Sequence, residues 1–169
     1  SLTVEASAPA AGSTPGTVYR FYVNANDDTD KFSAVFGNDQ DNLVLTTPSG
    51  IFNSAFNSSW NASGINPAFL PIFPELADDS YATIGLTGPA SASGIAGAAD
   101  PSLVEDSELS PSVSGYFLTG GTELNVNTLT GASWYVLNTA GNALPQDGRW
   151  LIASVTTAGG ISGPNNHQV

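Results

Sequence analysis

The stretch Thr17–Asn24, TVYRFYVN, decides the fold class. Tyr19, Phe21 and Val23 fall on one side of an extended chain, and Val18, Arg20 and Tyr22 fall on the other. Successive side chains of a strand point to opposite faces, so this alternation is the signature of a strand rather than of a helix. Its aromatic and β-branched residues also suit a pleated surface.

Downstream, NANDDTD is turn chemistry throughout, rich in Asn and Asp. The segment KFSAVFG follows, with Phe32, Ala34 and Phe36 expected on one face. The two stretches together predict a hairpin or a sandwich corner. Further short strands are expected at Leu43–Thr46, Ser80–Leu86, Val113–Leu118, Thr122–Val126, Ala132–Asn138 and Arg149–Thr157. Eight or nine short strands with Gly, Pro and Asn between them predict an all-β fold, a two-sheet antiparallel sandwich of the jelly-roll type.

Between the third and fourth of these strands lies a long excursion, Thr47–Asp79, TPSGIFNSAFNSSWNASGINPAFLPIFPELADD. A loop of this length needs packing of its own or a role. Its aromatics Phe52, Phe56, Trp60, Phe69 and Phe73 are expected to pin it to the sandwich. Asn66–Leu70 is the one place where a helical turn is expected, with Pro67 at its first position. Upstream, residues 1–16 are small and Pro-interrupted and read as a flexible or donated N-terminal arm. Leu2 and Val4 leave open a short edge strand. With no internal repeat, residues 17–169 read as a single domain.

The bulk numbers narrow the function. At 169 residues and 41% hydrophobic content the chain buries a sizeable core. Charged residues make up 11%, less than half the usual share, and Gly, Ser, Thr and Asn fill the difference. Fifteen acids stand against Arg20, Lys31 and Arg149, for a net charge of −12. Three cations cannot neutralise a phosphate backbone, which excludes nucleic acid as a partner. Anionic membrane surfaces are excluded likewise, and no apolar run is long enough for a membrane span. Such acidity suits a high-salt medium or divalent cations, which screen the carboxylates. There is no cysteine, which removes disulfides, thiolate metal sites and thiol nucleophiles together. The start at Ser1 reads as an N-terminus left by signal-peptide removal, with a trimmed chain as the alternative.

Candidate chemistry is sparse. The single histidine, His167, sits in the C-terminal tail, so triads and zinc sites are not expected. Carboxylate pairs remain among Asp27, Asp28 and Asp30, then Asp39 and Asp41, then Asp78 and Asp79. They keep a glycoside hydrolase open as a third reading, although no pair is singled out. Asp27, Asp28, Asp30, Asp39 and Asp41 also form a candidate calcium set, since hard cations want several oxygens from one loop region. A solvated acidic turn is the competing reading. Asn57-Ser58-Ser59 and Asn61-Ala62-Ser63 are sequons, glycan acceptors in a eukaryotic secreted chain and chance matches in a bacterial one. Trp60 between them reads either as a core anchor or as a platform for stacking glycans.

Several of these segments resemble a repeat-type domain of secreted and surface proteins in marine bacteria and microalgae. The residues that carry the likeness are Thr17–Tyr22 (T-x-Y-R-x-Y), the turn at Asp30 and Ala34–Gly37 (A-V-F-G). Ile65–Ser80 (I-N-P-A-F-x-x-x-F-P-x-L-x-x-D-S) is the most specific part, and Arg149–Gly163 followed by Asn166 and Gln168 completes it. The resemblance implies a surface or extracellular building block and brings no catalytic residues with it. No enzyme is expected. The leading expectation is an extracellular structural subunit of a filament, sheath or appendage, a homo-oligomer or polymer joined through sheet edges and the arm. A calcium-dependent carbohydrate-binding or adhesion module is the alternative.

Overall fold

The computed structural model describes residues 1–159, and His167, Asn166 and Gln168 lie outside them. Nine strands and one α-helix are present among these residues. The strands are β1 (Leu2–Ser7), β2 (Thr17–Asn24), β3 (Ala34–Gly37), β4 (Leu43–Thr46) and β5 (Tyr81–Ala82). They continue with β6 (Ser102–Glu105), β7 (Glu123–Val126), β8 (Ala132–Tyr135) and β9 (Arg149–Thr157), and α1 spans Val113–Leu118. Every strand pairing is antiparallel, in a four-stranded sheet β1-β2-β9-β5, a three-stranded sheet β3-β8-β6 and a two-stranded ribbon β4-β7. The fold is therefore β-rich and antiparallel. No helix of the described residues is long and apolar enough to cross a membrane.

The alternation in TVYRFYVN has the expected consequence. Phe21 and Val23 enter the main core and Tyr19 packs against it, whereas Tyr22 packs on a second, smaller cluster. β9 is the central strand beside β2 and is buried almost throughout. Its register slips by one residue, because Phe21 faces Ala153 while Tyr22 faces Leu151. The slip is a β-bulge that places Ile152 and Ala153 on the same side. Trp150, Ile152, Ala153 and Val155 therefore all reach the main core, while Leu151 turns to the second cluster with Ala62, Ile65, Leu76 and Tyr81. One face of the four-stranded sheet thus meets the main core and the other meets the excursion.

Several expectations need correcting. VSGYFL is helix α1, not a strand. Val113, Tyr116 and Phe117 stand at i, i+3 and i+4 and are fully buried, a helical spacing that overrides the local β-propensity. The Ser112 hydroxyl accepts from the Gly115 amide at 3.0 Å, and the Glu105 carboxylate accepts from the Ser114 amide at 3.2 Å. Together these satisfy free N–H groups of the first turn. β6 lies where no strand is expected, since adjacent Leu103 and Val104 show no alternation of polarity. Ser80–Leu86 shrinks to the two paired residues of β5.

The segments β2 and β3 are not hairpin partners, because β2 pairs with β1 and β9 while β3 pairs with β8. The chain changes sheets between them. In β3 it is Val35 that is buried, while Phe36 is exposed. Asn66–Leu70 forms hydrogen-bonded turns but no helix, with Asn66 Oδ1 accepting from the Ala68 amide at 3.0 Å.

In the arm it is the edge-strand reading of Leu2 and Val4 that is found, and neither a loose nor a donated segment: Leu2–Ser7 is laddered to β2 of the same chain. Glu5 bonds Arg149 at 2.5 Å, and the Asp78 carboxylate accepts from the Ala10 and Ala11 amides at 2.5 and 3.0 Å. The segment is thus tied down at both ends of its path.

Candidate interaction surfaces

The expected calcium set is not gathered. Asp30 Oδ2 accepts from the Asn26 and Asp27 amides at 2.8 and 3.1 Å, which closes its own turn. Asp27 Oδ1 accepts from the hydroxyl and the amide of Thr29, and these bonds hold its carboxyl below the usual range. In the next turn it is Asn38 Oδ1 that accepts from the Gln40 and Asp41 amides, while Asp39 accepts from the Gln40 side chain. Among the described residues no group of three or more acidic or histidine side chains is placed to hold a metal ion. Asp27, Asp28 and Asp30 lie in one turn and Asp39 and Asp41 in another, closed by the side-chain oxygens of Asp30 and Asn38.

The sequons lie on the excursion as expected, but their asparagines point inward. Asn57 and Asn61 are both buried. Asn57 Nδ2 donates to the Asn61 carbonyl at 3.1 Å and to Asp79 Oδ2 at 2.8 Å, so both its hydrogens are used. Asn61 Nδ2 donates to the Pro101 carbonyl at 3.2 Å, and its Oδ1 accepts from the Ser63 amide at 2.9 Å. A glycan on either nitrogen would displace a bond that folds the loop. Burial thus corrects the expectation of glycan acceptors on an exposed loop. Trp60 is half-buried against the main core, which is the anchoring role.

At the centre of this network stands Asp79, 1% exposed. It also accepts from the Ser54 amide at 2.8 Å. Burial pushes its carboxyl up to about 7 against the opposing effect of these bonds. Asp78 and Asp79 are thus occupied by backbone and amide donors inside the fold and do not form a pair facing a cleft. Glu108 and Glu123 do share a cavity of about 300 Å³, together with Ser110, Pro111, Asn125 and Asn127.

Besides single exposed residues such as Leu129, at 82%, and Val4, Leu118 and Leu144, two groups of exposed apolar side chains stand out among the described residues. The first is the outer face of the three-stranded sheet. Val35, Trp134 and Leu103 turn inward from β3, β8 and β6. Their neighbours turn outward in two rows, Phe36 beside Ser133 beside Val104, and Ala34 beside Tyr135 beside Ser102. Phe36 and Val104 are 53% and 56% exposed, and Leu137, two residues beyond Tyr135, is 69% exposed. No charged side chain lies in these rows. The second place is the excursion. Phe56 stacks on Phe73 at 4.0 Å between centroids, and Phe69 meets both edge-on at 6.5 and 6.4 Å. Ile72 beside them is 70% exposed. No residue from Asn42 to Pro74 is charged.

Sequence reasoning named Phe36, Phe56, Phe69 and Phe73 but assigned them to packing. Phe36 had a detectable signal, because Val35 and Phe36 are adjacent and cannot both face the core. The excursion aromatics had none, since an irregular loop has no period to tell inside from outside.

No protein-family model matches the chain, and no curated protein or solved structure matches it either.

Proposed function

We propose that this protein is an extracellular structural subunit of a surface filament, sheath or appendage, and that it works by associating with further copies of itself. The observation that carries this reading is the uncharged outer face of β3-β8-β6, which exposes Phe36 and Val104 on either side of Ser133. Contiguous apolar patches on a folded chain are characteristic of interaction sites. On a chain of net charge −12, such a face lets two copies meet without opposing carboxylates. The low overall charge and the surface of Gly, Ser, Thr and Asn support an extracellular setting, as does the resemblance to secreted marine domains. In this reading the four- and three-stranded sheets are the two layers of a sandwich, supported by the single main core that takes side chains from both.

The arm takes a smaller part than the sequence suggests, because β1 is paired within its own chain. It offers an outer edge, not a free strand. Sedimentation velocity and electron microscopy across protein and salt concentrations test the proposal. Assembly is expected to strengthen with salt, which screens the carboxylates, and to be lost in Phe36→Ser/Val104→Ser. Monodisperse monomers at every salt and calcium concentration would refute it.

The cavity shared by Glu108, Glu123, Asn125 and Asn127 favours a second reading, carbohydrate binding, since carboxylates and amides are the usual partners of sugar hydroxyls. A glycan array run with and without chelator decides it, and absence of binding in both conditions removes it.

A further inference from the structure

We propose that the cavity between the end of β2, the turn Asn26–Asp30 and the start of β9 binds a neutral saccharide unit. The inference stands apart from the self-association reading, and it places the sugar elsewhere than the cavity of Glu108 and Glu123.

The cavity has a volume of about 520 Å³, and Asn26, Asp30, Lys31, Phe32 and Trp150 are among the residues that line it. Pockets for small ligands span about 300–1,000 Å³ and combine an apolar floor with a few placed polar groups. The aromatic side of this one is fixed by packing and by hydrogen bonds. Trp150 is 3% exposed, and its indole N–H donates to the Ala143 carbonyl at 3.0 Å. The Phe32 amide donates to the same carbonyl at 2.9 Å, and the two rings sit 5.5 Å apart.

The polar side keeps bonding capacity. Asp30 Oδ2 accepts from the Asn26 and Asp27 amides, which holds the carboxylate in place. Among the described residues no hydrogen bond engages its Oδ1 or the side-chain amide of Asn26. Lys31 Nζ donates to the Asn138 carbonyl at 2.9 Å, which uses one hydrogen of its ammonium. Beside the rings there is thus an oxygen that accepts, an amide that does both and an ammonium that donates.

That combination selects the ligand. A sugar ring has a face of C–H groups, which suits the negative face of an aromatic ring, and hydroxyls at its rim, each both donor and acceptor. Neighbouring hydroxyls then bond Asp30 Oδ1 on one side and Lys31 or Asn26 on the other. An anionic ligand would meet Asp30 together with Asp27 and Asp28 of the same turn, on a chain of net charge −12. A cationic one would face Lys31, which the Asn138 carbonyl holds at the cavity. A purely apolar one would strip water from Asp30 and Lys31 and replace none of its bonds. The cavity of Glu108 and Glu123 has no aromatic side chain in its wall among the described residues.

Saturation-transfer NMR and tryptophan fluorescence test the proposal, with the methyl glycosides of glucose, galactose, mannose and N-acetylglucosamine as neutral probes and glucuronate as the charged one. At least one neutral glycoside is expected to bind the wild-type chain. Asn26→Ala and Phe32→Leu, checked for folding by thermal melts, are each expected to weaken it by about fivefold to tenfold. Asn26 is exposed, so Asn26→Ala carries the test if Phe32→Leu does not fold. Glu108→Gln/Glu123→Gln tells the two cavities apart. If it abolishes binding while Asn26→Ala and Phe32→Leu bind as the wild-type chain does, the sugar sits in the other cavity, and this inference is overturned while that reading stands. Binding of glucuronate alone would make the cavity an anion site at Lys31 and would overturn it too. So would a wild-type chain that binds no neutral glycoside.

Discussion

Asp79 links the excursion to pH. In the folded chain its carboxyl sits near 7, raised from 3.8 by burial. Each pKa unit corresponds to about 1.36 kcal/mol of differential interaction, so the shift amounts to on the order of 4 kcal/mol. The folded state holds the proton more tightly than the unfolded state does. The stability this group contributes is therefore fully present below pH 3.8, is lost progressively as pH rises to about 7, and is absent above that. Its titratable neighbours do not mask the effect. Tyr81 is raised further above 10 by its own burial and stays neutral across this window. Asp27 and Asp106, held below 3.8 by hydrogen bonds, contribute stability that is lost as pH falls, an opposite slope that lies below this window and is common to wild type and variant. Asp79→Asn removes the titration together with one of the two oxygens that accept from Ser54 and Asn57. Urea unfolding from pH 4 to 8.5 should therefore show the variant less stable near pH 4. The gap should narrow as pH rises past 7, because the variant's profile is the flatter. Equal slopes for both chains across that range would refute the assignment of Asp79 as the titrating group.

Three further outcomes are expected. Asn142 is fully buried and bonds the Ile84 carbonyl at 2.7 Å and both backbone groups of Ala99 at 2.9 and 3.0 Å. Asn142→Ala strands those partners and should cost about 2–4 kcal/mol in denaturant unfolding, enough to lower the melting temperature measurably. Ser112→Ala removes the cap of α1 and should cost about 1 kcal/mol by the same assay, with little change in the overall circular dichroism spectrum. Because Asp27, Asp30 and Asp39 accept from groups within their own turns and no three acidic side chains of the described residues are gathered, millimolar calcium or chelator should leave the melting temperature unchanged. A calcium-dependent rise would overturn that reading of the turns.

The amino-acid sequence alone determined the parts of this protein that depend on local periodicity. Thr17–Asn24, Leu43–Thr46 and Arg149–Thr157 are strands at the expected residues, and the face of β2 that meets the core follows from alternation. Composition alone likewise gave the charge balance and the absence of thiol chemistry. Tertiary structure decided the rest, for a physical reason that recurs. VSGYFL carries β-branched and aromatic residues that suit a strand, but capping by Ser112 and Glu105 and a core that takes Val113, Tyr116 and Phe117 together make it a helix. The sequon asparagines and Asp79 carry no sign in the sequence that they point at one another. The arm becomes a strand because β2 offers it an edge and Asp78, 67 residues further on, accepts from its following turn. The two apolar surfaces are recognisable only once the main core is known, since exposure is a property of what a side chain fails to touch.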